Sequence, residues 1–175
     1  MNDASRSALR QALNQCLQTF RENPGMSGSE ILQQGRSLAA WKQARGIDGI
    51  FTDPPRMMTA TLDDGIGQGL TLIHCFAELA GVTLIPLGLM QAPETIINEC
   101  RRQQPDILGL TVLQYGTEEL LCNDIIPHLP DRVQVIVGGP VFKTMDKAAL
   151  AAKPYRVLND VRAFLDHMLN MAVDR

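Results

Sequence analysis

The sequence predicts an α/β fold, a five-stranded parallel sheet in the order 2-1-3-4-5 with a short helical segment in front of it. Three observations carry this expectation. From Met57 onward, strand-like and helix-like stretches alternate. A glycine-rich turn, Gly65 to Gly69, follows the first strand. A proline, Pro86, lies inside the second. Alternation of this kind is the pattern of βαβ units, whose helices cover both faces of a parallel sheet.

The N-terminal segment, residues 1–51, reads as two helices. Leu9, Leu13, Cys16, Leu17 and Phe20 recur at steps of three and four and make one apolar face. Asn23-Pro24-Gly25 stops that helix. Ser27 or Ser29 can cap a second, which carries Ile31, Leu32, Leu38 and Trp41 and ends at Gly46. Gly35 inside it either weakens the helix or lets another backbone approach closely. Two helices do not make a core, so they must pack on the main domain, on a second copy of the chain, or on a partner. A shared bundle in a homodimer is one such expectation.

Thr52-Asp53-Pro54-Pro55 reads as a linker into the main domain, residues 52–175. Met57 to Asp63 is the first strand and Leu70 to Leu79 the helix after it. Val82 to Leu87 and Glu94 to Gln103 form the second pair, Ile107 to Leu113 and Thr117 to Ile126 the third. Val133 to Val137 runs into Gly138-Gly139-Pro140 and a short helix from Lys143 to Ala151. Tyr155 to Leu158 is a weak fifth strand, and Asp160 to Ala172 the last helix. Proline suits an edge strand, where its missing N–H faces no neighbour. In the flavodoxin-like order the second strand is an edge, so Pro86 fits that order. The ligand crevice of such a sheet lies beyond the carboxyl ends of its strands.

Composition narrows the function classes. With 45% hydrophobic and 20% charged residues, the 175-residue chain is ordinary globular material for about one domain. Sixteen basic and nineteen acidic side chains leave a net charge of −3, which gives no footprint for nucleic acid or an anionic membrane. The polar start of the chain lacks a secretory h-region, and the longest uncharged stretch, Leu79 to Pro93, is too short to span a bilayer. The expected location is the cytoplasm. Cys16, Cys75, Cys100 and Cys122 form no CxxC pair, which argues against a zinc ribbon and for reduced, mostly buried thiols. His74, His128 and His167 are equally scattered.

The candidate site residues sit at the expected strand ends. After strand 1 come Asp64, Gly65, Ile66, Gly67, Gln68 and Gly69, with Asp63 just before them. After strand 3 come Thr111, Leu113, Gln114 and Tyr115. Gly138, Gly139 and Pro140 follow strand 4, and Asn159 follows strand 5. Glycines in the first loop let a bulky ligand approach the backbone and free the amides of the following helix. Asp64 can equally serve as that helix's N-cap.

This set resembles the cobalamin-binding domain family, the module of methionine synthase, methylmalonyl-CoA mutase and the corrinoid carriers of methyltransferases. That family shows D-x-H-x-x-G after strand 1, S-x-L or T-x-L at strand 3, and G-G after strand 4. Here Asp64-Gly65-Ile66-Gly67-Gln68-Gly69 takes the first place, Thr111-Val112-Leu113 the second at the family's spacing, and Gly138-Gly139 the third after a slightly short interval. Leu87-Gly88, Pro93-Glu94 and Pro105-Asp106 also resemble family sequence. The resemblance covers about Met57 to Asp160.

The family histidine that binds cobalt falls on Ile66, whose side chain has no donor atom, so no protein metal ligand is expected. In the family the preceding aspartate orients that histidine; Asp64 keeps the position with no imidazole to orient. The resemblance implies that cobalamin binds with its own base or with none below the cobalt. It also implies that Thr111 bonds the nucleotide tail and that Gly138 and Gly139 line the tail's slot. A chain of this kind would present the corrinoid to a separate methyltransferase or other B12-using enzyme. Two alternatives stay open: a crevice reassigned to another small molecule, and a fold kept for protein interaction or sensing.

Response-regulator receivers also place an acidic pair after strand 1. They need an aspartate after strand 3 and a lysine after strand 5, where this chain has Leu113/Gln114 and Asn159. No nucleophile elbow, Walker loop or dinucleotide fingerprint is present. Activity of its own is therefore not expected.

Overall fold

The computed structural model describes residues 3–172. The outermost residues of the two expected segments, 1–2 and 173–175, lie outside that range. The elements are α1 (Asp3–Glu22), α2 (Gly28–Ala44), β1 (Arg56–Thr61), α3 (Gln68–Ala80), β2 (Thr83–Gly88), α4 (Pro93–Gln103), β3 (Ile107–Thr111), α5 (Thr117–Leu120), β4 (Gln134–Gly138), α6 (Lys147–Ala151), β5 (Arg156–Val157) and α7 (Val161–Met171). The five strands form one parallel sheet in the order β2-β1-β3-β4-β5, the flavodoxin-like order. Pro86 lies on the edge strand β2 and is exposed, as its missing N–H requires.

The chain divides into two compact units. One gathers the chain up to Pro54, Thr71–Thr83 and the segment from Val161. Its core takes the apolar stripe of α1, namely Leu9, Leu13, Cys16, Leu17 and Phe20, all buried. The Phe20 ring meets Phe76 edge-on at 5.6 Å. Arg162 donates to the Phe20 carbonyl at 2.9 Å, and to those of Asn23 and Pro24, so a cation caps the end of α1. A capping box at Ser27 and Glu30 starts α2. Gly35 is there for close approach: a Cβ on it would lie 2.6 Å from the Cys75 sulfur and 3.3 Å from the Phe76 ring. The two N-terminal helices thus find their packing partners within one chain.

The other unit comprises Pro55–Leu70 and Leu84–Asp160. Met58, Ala60, Leu108, Leu110, Val112, Val135 and Val137 share one face of the sheet and pack with Ile96, Ile97 and Cys100 of α4 and with Leu121, Ile125 and Phe142. Burial pushes the Cys100 thiol up to about 11, and that of Cys16 likewise, so both are inert thiols at neutral pH. All four cysteines are free.

Four expected elements change on folding. The helix expected from Thr117 to Ile126 is α only to Leu120; a π-turn, Leu121–Ile125, and a 3-10 turn, Ile126–His128, complete it. Pro127 has no N–H for the carbonyl four residues back, and the Ile126 N–H reaches Leu121, five back, instead. The helix expected from Lys143 begins at Lys147, because the Asp146 carboxylate accepts from the Ala149 N–H and fixes the start there; Pro140–Lys143 is a 3-10 turn. Strands 1 and 3 stop at Thr61 and Thr111 rather than Asp63 and Leu113: the Thr61 carbonyl takes the Gln91 N–H of the loop after β2, and the Leu113 N–H goes to the Asp63 carboxylate.

Candidate functional site

The carboxyl ends of the strands carry four loops tied to one another by specific bonds. Thr61, fully buried at the end of β1, is the first tie. Its hydroxyl donates to the Asp64 carbonyl at 2.6 Å and accepts from the Met90 N–H at 2.8 Å. Its carbonyl accepts from the Gln91 N–H at 2.7 Å. One residue therefore joins the loop after β1 to the loop after β2. Thr61→Val keeps the shape and strands two backbone groups, so a stability loss of about 2 kcal/mol is expected from the urea midpoint. An unchanged midpoint would mean that these bonds hold nothing.

Asp63 is the second tie. Its two carboxylate oxygens accept from the N–H groups of Leu113 at 2.8 Å and Gln114 at 2.7 Å, across 50 and 51 residues of chain. Asp64, buried, accepts with one oxygen from the N–H groups of Ile66 at 2.8 Å and Gly67 at 3.0 Å. It closes the turn ahead of α3, which begins at Gln68, and so is not that helix's N-cap. Beyond β3, Glu118 accepts from the Gly116 N–H at 2.6 Å, and the Tyr115 hydroxyl meets that of Thr144 at 2.8 Å, joining the loops after β3 and β4.

Gly138 and Gly139 sit where β4 meets these loops. The Val112 N–H donates to the Gly138 carbonyl at 2.9 Å. Gly139 has φ +133°, and a Cβ on it would fall 1.8 Å from the Val112 carbonyl oxygen. Backbone packing thus requires Gly139 whatever is bound. Gly138 differs, since its Cβ would stand 3.0 Å from the Leu158 carbonyl. By register Thr61, Thr111 and Gly138 lie level, one step above Thr59, Gly109 and Ile136. On β1, β3 and β4, that end of the sheet face therefore carries small or hydroxyl side chains.

The surface over these loops is apolar. Among the described residues, the large hydrophobics left exposed are Ile66 (77%), Met90 (65%), Tyr115 (71%), Leu89, Leu113 and Leu120. Five belong to the loops after β1, β2 and β3, and Leu120 ends α5 just beyond. Met90 holds φ +51°, a left-handed conformation uncommon for a non-glycine residue, fixed by its bond to Thr61. Gln68, Gly69, Gln114, Pro140 and Asn159 are exposed at the same end of the strands, and Thr111 is half-buried.

Ile66 stands exposed in the loop between β1 and α3, and its side chain has no donor atom. No group of three or more His, Cys, Asp or Glu able to hold a metal occurs among the described residues. His74 lies in α3, where burial lowers its pKa, while His128 ends a 3-10 turn and His167 is buried in α7. Sequence reasoning did not single out Thr61, Leu89 and Met90, and it read Asp63 only as one of an acidic pair at the end of strand 1. The one available signal was Leu89-Met90, an apolar pair following an edge strand with no core left to fill.

No family model matches the sequence, and no curated protein matches it. Solved structures repeat its architecture. A cobalamin-binding protein from Desulfitobacterium hafniense DCB-2 is similar over 97% of this chain and 84% of its own, with a TM-score of 0.68 and 14% identity. The Methanosarcina barkeri monomethylamine corrinoid protein is similar over 86% of this chain and 74% of its own, at TM-score 0.56 and 15% identity. The methanol:cobalamin methyltransferase complex MtaBC from the same organism contains a chain similar over 99% of this one and 68% of its own, at TM-score 0.59 and 11% identity. At these identities the likeness is one of fold. No helix among the described residues is long and apolar enough to cross a membrane.

Proposed function

We propose that this chain binds a corrinoid, cobalamin or a relative, over the carboxyl ends of its strands and presents it to a separate methyltransferase or other B12-using enzyme. The observation that carries the reading is the apolar rim: Ile66, Met90, Leu113 and Tyr115 stand exposed on loops that Thr61 and Asp63 hold in place. Exposed apolar side chains on neighbouring strand-end loops mark a binding surface, and a macrocycle offers a broad apolar face to cover several of them at once. The small residues Thr111 and Gly138, level with one another at the top of one sheet face, suit a slot for the nucleotide tail. The three structural neighbours, by their own descriptions corrinoid or cobalamin proteins, point the same way.

The donor set fits such a group on one condition. With Ile66 in this loop, the chain would offer cobalt no ligand from it, so a bound corrinoid would rely on its own base or on none there. Cobalt supplies the alkyl-transfer or radical chemistry when the corrinoid is bound, and the protein supplies the surface and orientation. The division at residue 51 belongs to this reading as well: residues 1–51 serve the helical unit and the later segment carries the site.

The test is retention of hydroxocobalamin through gel filtration, with the visible spectrum recorded on the protein peak. Stoichiometric retention is expected, with bands that report whether the base stays on cobalt. If hydroxo-, methyl-, adenosyl- and reduced cobalamin all wash away, the rim serves a protein partner or another ligand.

A further inference from the structure

In sheets of this order, the backbone N–H groups of the strand-end loops are the usual seat of a ligand's phosphate, because several of them converge and nothing internal satisfies them. Here they are already taken. Asp63 covers the N–H groups of Leu113 and Gln114, Asp64 those of Ile66 and Gly67, and Glu118 that of Gly116. Five amides at the rim are thus satisfied by three carboxylates of the chain itself.

We propose that Asp63 is a specificity-determining residue: it is a built-in anion that occupies the amide pair after β3 and excludes phosphorylated ligands from the rim. The inference deepens the proposed function and rests on it in taking these loops to face the ligand. The chemistry is direct. An incoming phosphate would have to displace a carboxylate that makes two charge-assisted bonds in place, and it would meet the negative charges of Asp63 and Asp64 while doing so. A ligand whose face over the rim is uncharged meets neither cost. The rim therefore selects a neutral, largely apolar face and rejects mononucleotides, dinucleotides and flavin phosphates. A corrin ring meets this condition because its single phosphate lies in the tail, away from the ring.

Asp63 also positions. The two bonds hold Leu113 and Gln114 at the rim before any ligand arrives, so less ordering remains to be done on binding. A purely structural role and a selective one give opposite results for one substitution. If Asp63 only braces the loop, Asp63→Ala binds everything more weakly. If it blocks the amides, Asp63→Ala gains affinity for an anion.

The experiment titrates inorganic phosphate into the full chain and follows the backbone amide resonances of Leu113 and Gln114. In the wild type they stay unmoved. In Asp63→Ala they shift saturably, with phosphate affinity raised at least about tenfold, the factor that corresponds to one charge-assisted bond regained. Asp63→Asn keeps the size and one acceptor, and is expected to fall between the two. It also carries the test if the alanine variant does not fold. Phosphate binding at these amides in the wild type overturns the proposal, and so does a folded variant with no gain. Hydroxocobalamin retention by the wild type is measured alongside. A phosphate gain without cobalamin retention upholds the blocking role and sinks the corrinoid reading, while retention without a phosphate gain does the reverse.

Discussion

Gly139→Ala is expected to cost more than about 3 kcal/mol and to leave little folded protein, since domains of this size hold only about 5–15 kcal/mol in all. Two independent penalties meet at this residue. Its φ of +133° is a conformation that L side chains rarely adopt. Its Cβ would stand 1.8 Å from the Val112 carbonyl oxygen and 2.8 Å from the carbonyl carbon, so backbone rather than a flexible side chain must move. That carbonyl belongs to the segment joining β3 to the rim, so relief in either direction breaks the bond from the Val112 N–H to the Gly138 carbonyl. The urea midpoint is the measurement, and a change under about 0.5 kcal/mol would refute the account. Gly138→Ala is the informative neighbour. Its Cβ meets one carbonyl at 3.0 Å, a contact that a shift of a few tenths of an ångström relieves. It is expected to fold, and so to report on the tail slot where Gly139→Ala cannot.

This contrast also shows what a sequence can and cannot carry. The double glycine was legible as a motif, but the reasons for its two members are different and only geometry separates them. The sheet order was legible because strands alternating with helices imply a parallel sheet, and Pro86 fits the order that leaves its strand at an edge. The face of α1 was legible because its burial follows a simple period. The helix after β3 was not, since the effect of Pro127 on it depends on which carbonyl the Ile126 N–H then finds. Asp63 was the hardest to read. Beside Asp64 it suggested an acidic pair, yet its partners are amides 50 and 51 residues away, and no local pattern encodes a bond between a loop and another loop. The β2 loop was overlooked for a related reason: Leu89 and Met90 have no polar chemistry to notice, and their meaning lies in being exposed together with Ile66 and Tyr115.

That shared exposure yields the second large effect. The double substitution Ile66→Asp with Met90→Asp is expected to leave stability unchanged and to weaken cobalamin retention by roughly a hundredfold. Stability is spared because the two side chains are 77% and 65% exposed and leave no cavity when removed. At position 90 the change even suits the backbone, because aspartate tolerates the left-handed conformation at φ +51° better than methionine does. Binding suffers because a ligand lying over the rim would cover both apolar side chains. Covering each in part is worth about 1.5 kcal/mol, and about 3 kcal/mol together is near a hundredfold in affinity. The paired control, Ile66→Leu with Met90→Leu, keeps the apolar area and should keep the affinity. If the aspartate pair folds and retains cobalamin as the wild type does, the corrinoid does not lie over this rim, even where the protein binds it. If the leucine control loses affinity as well, the fit depends on the particular shapes of Ile66 and Met90 rather than on apolar cover, and the rim is a shaped pocket instead of a flat seat.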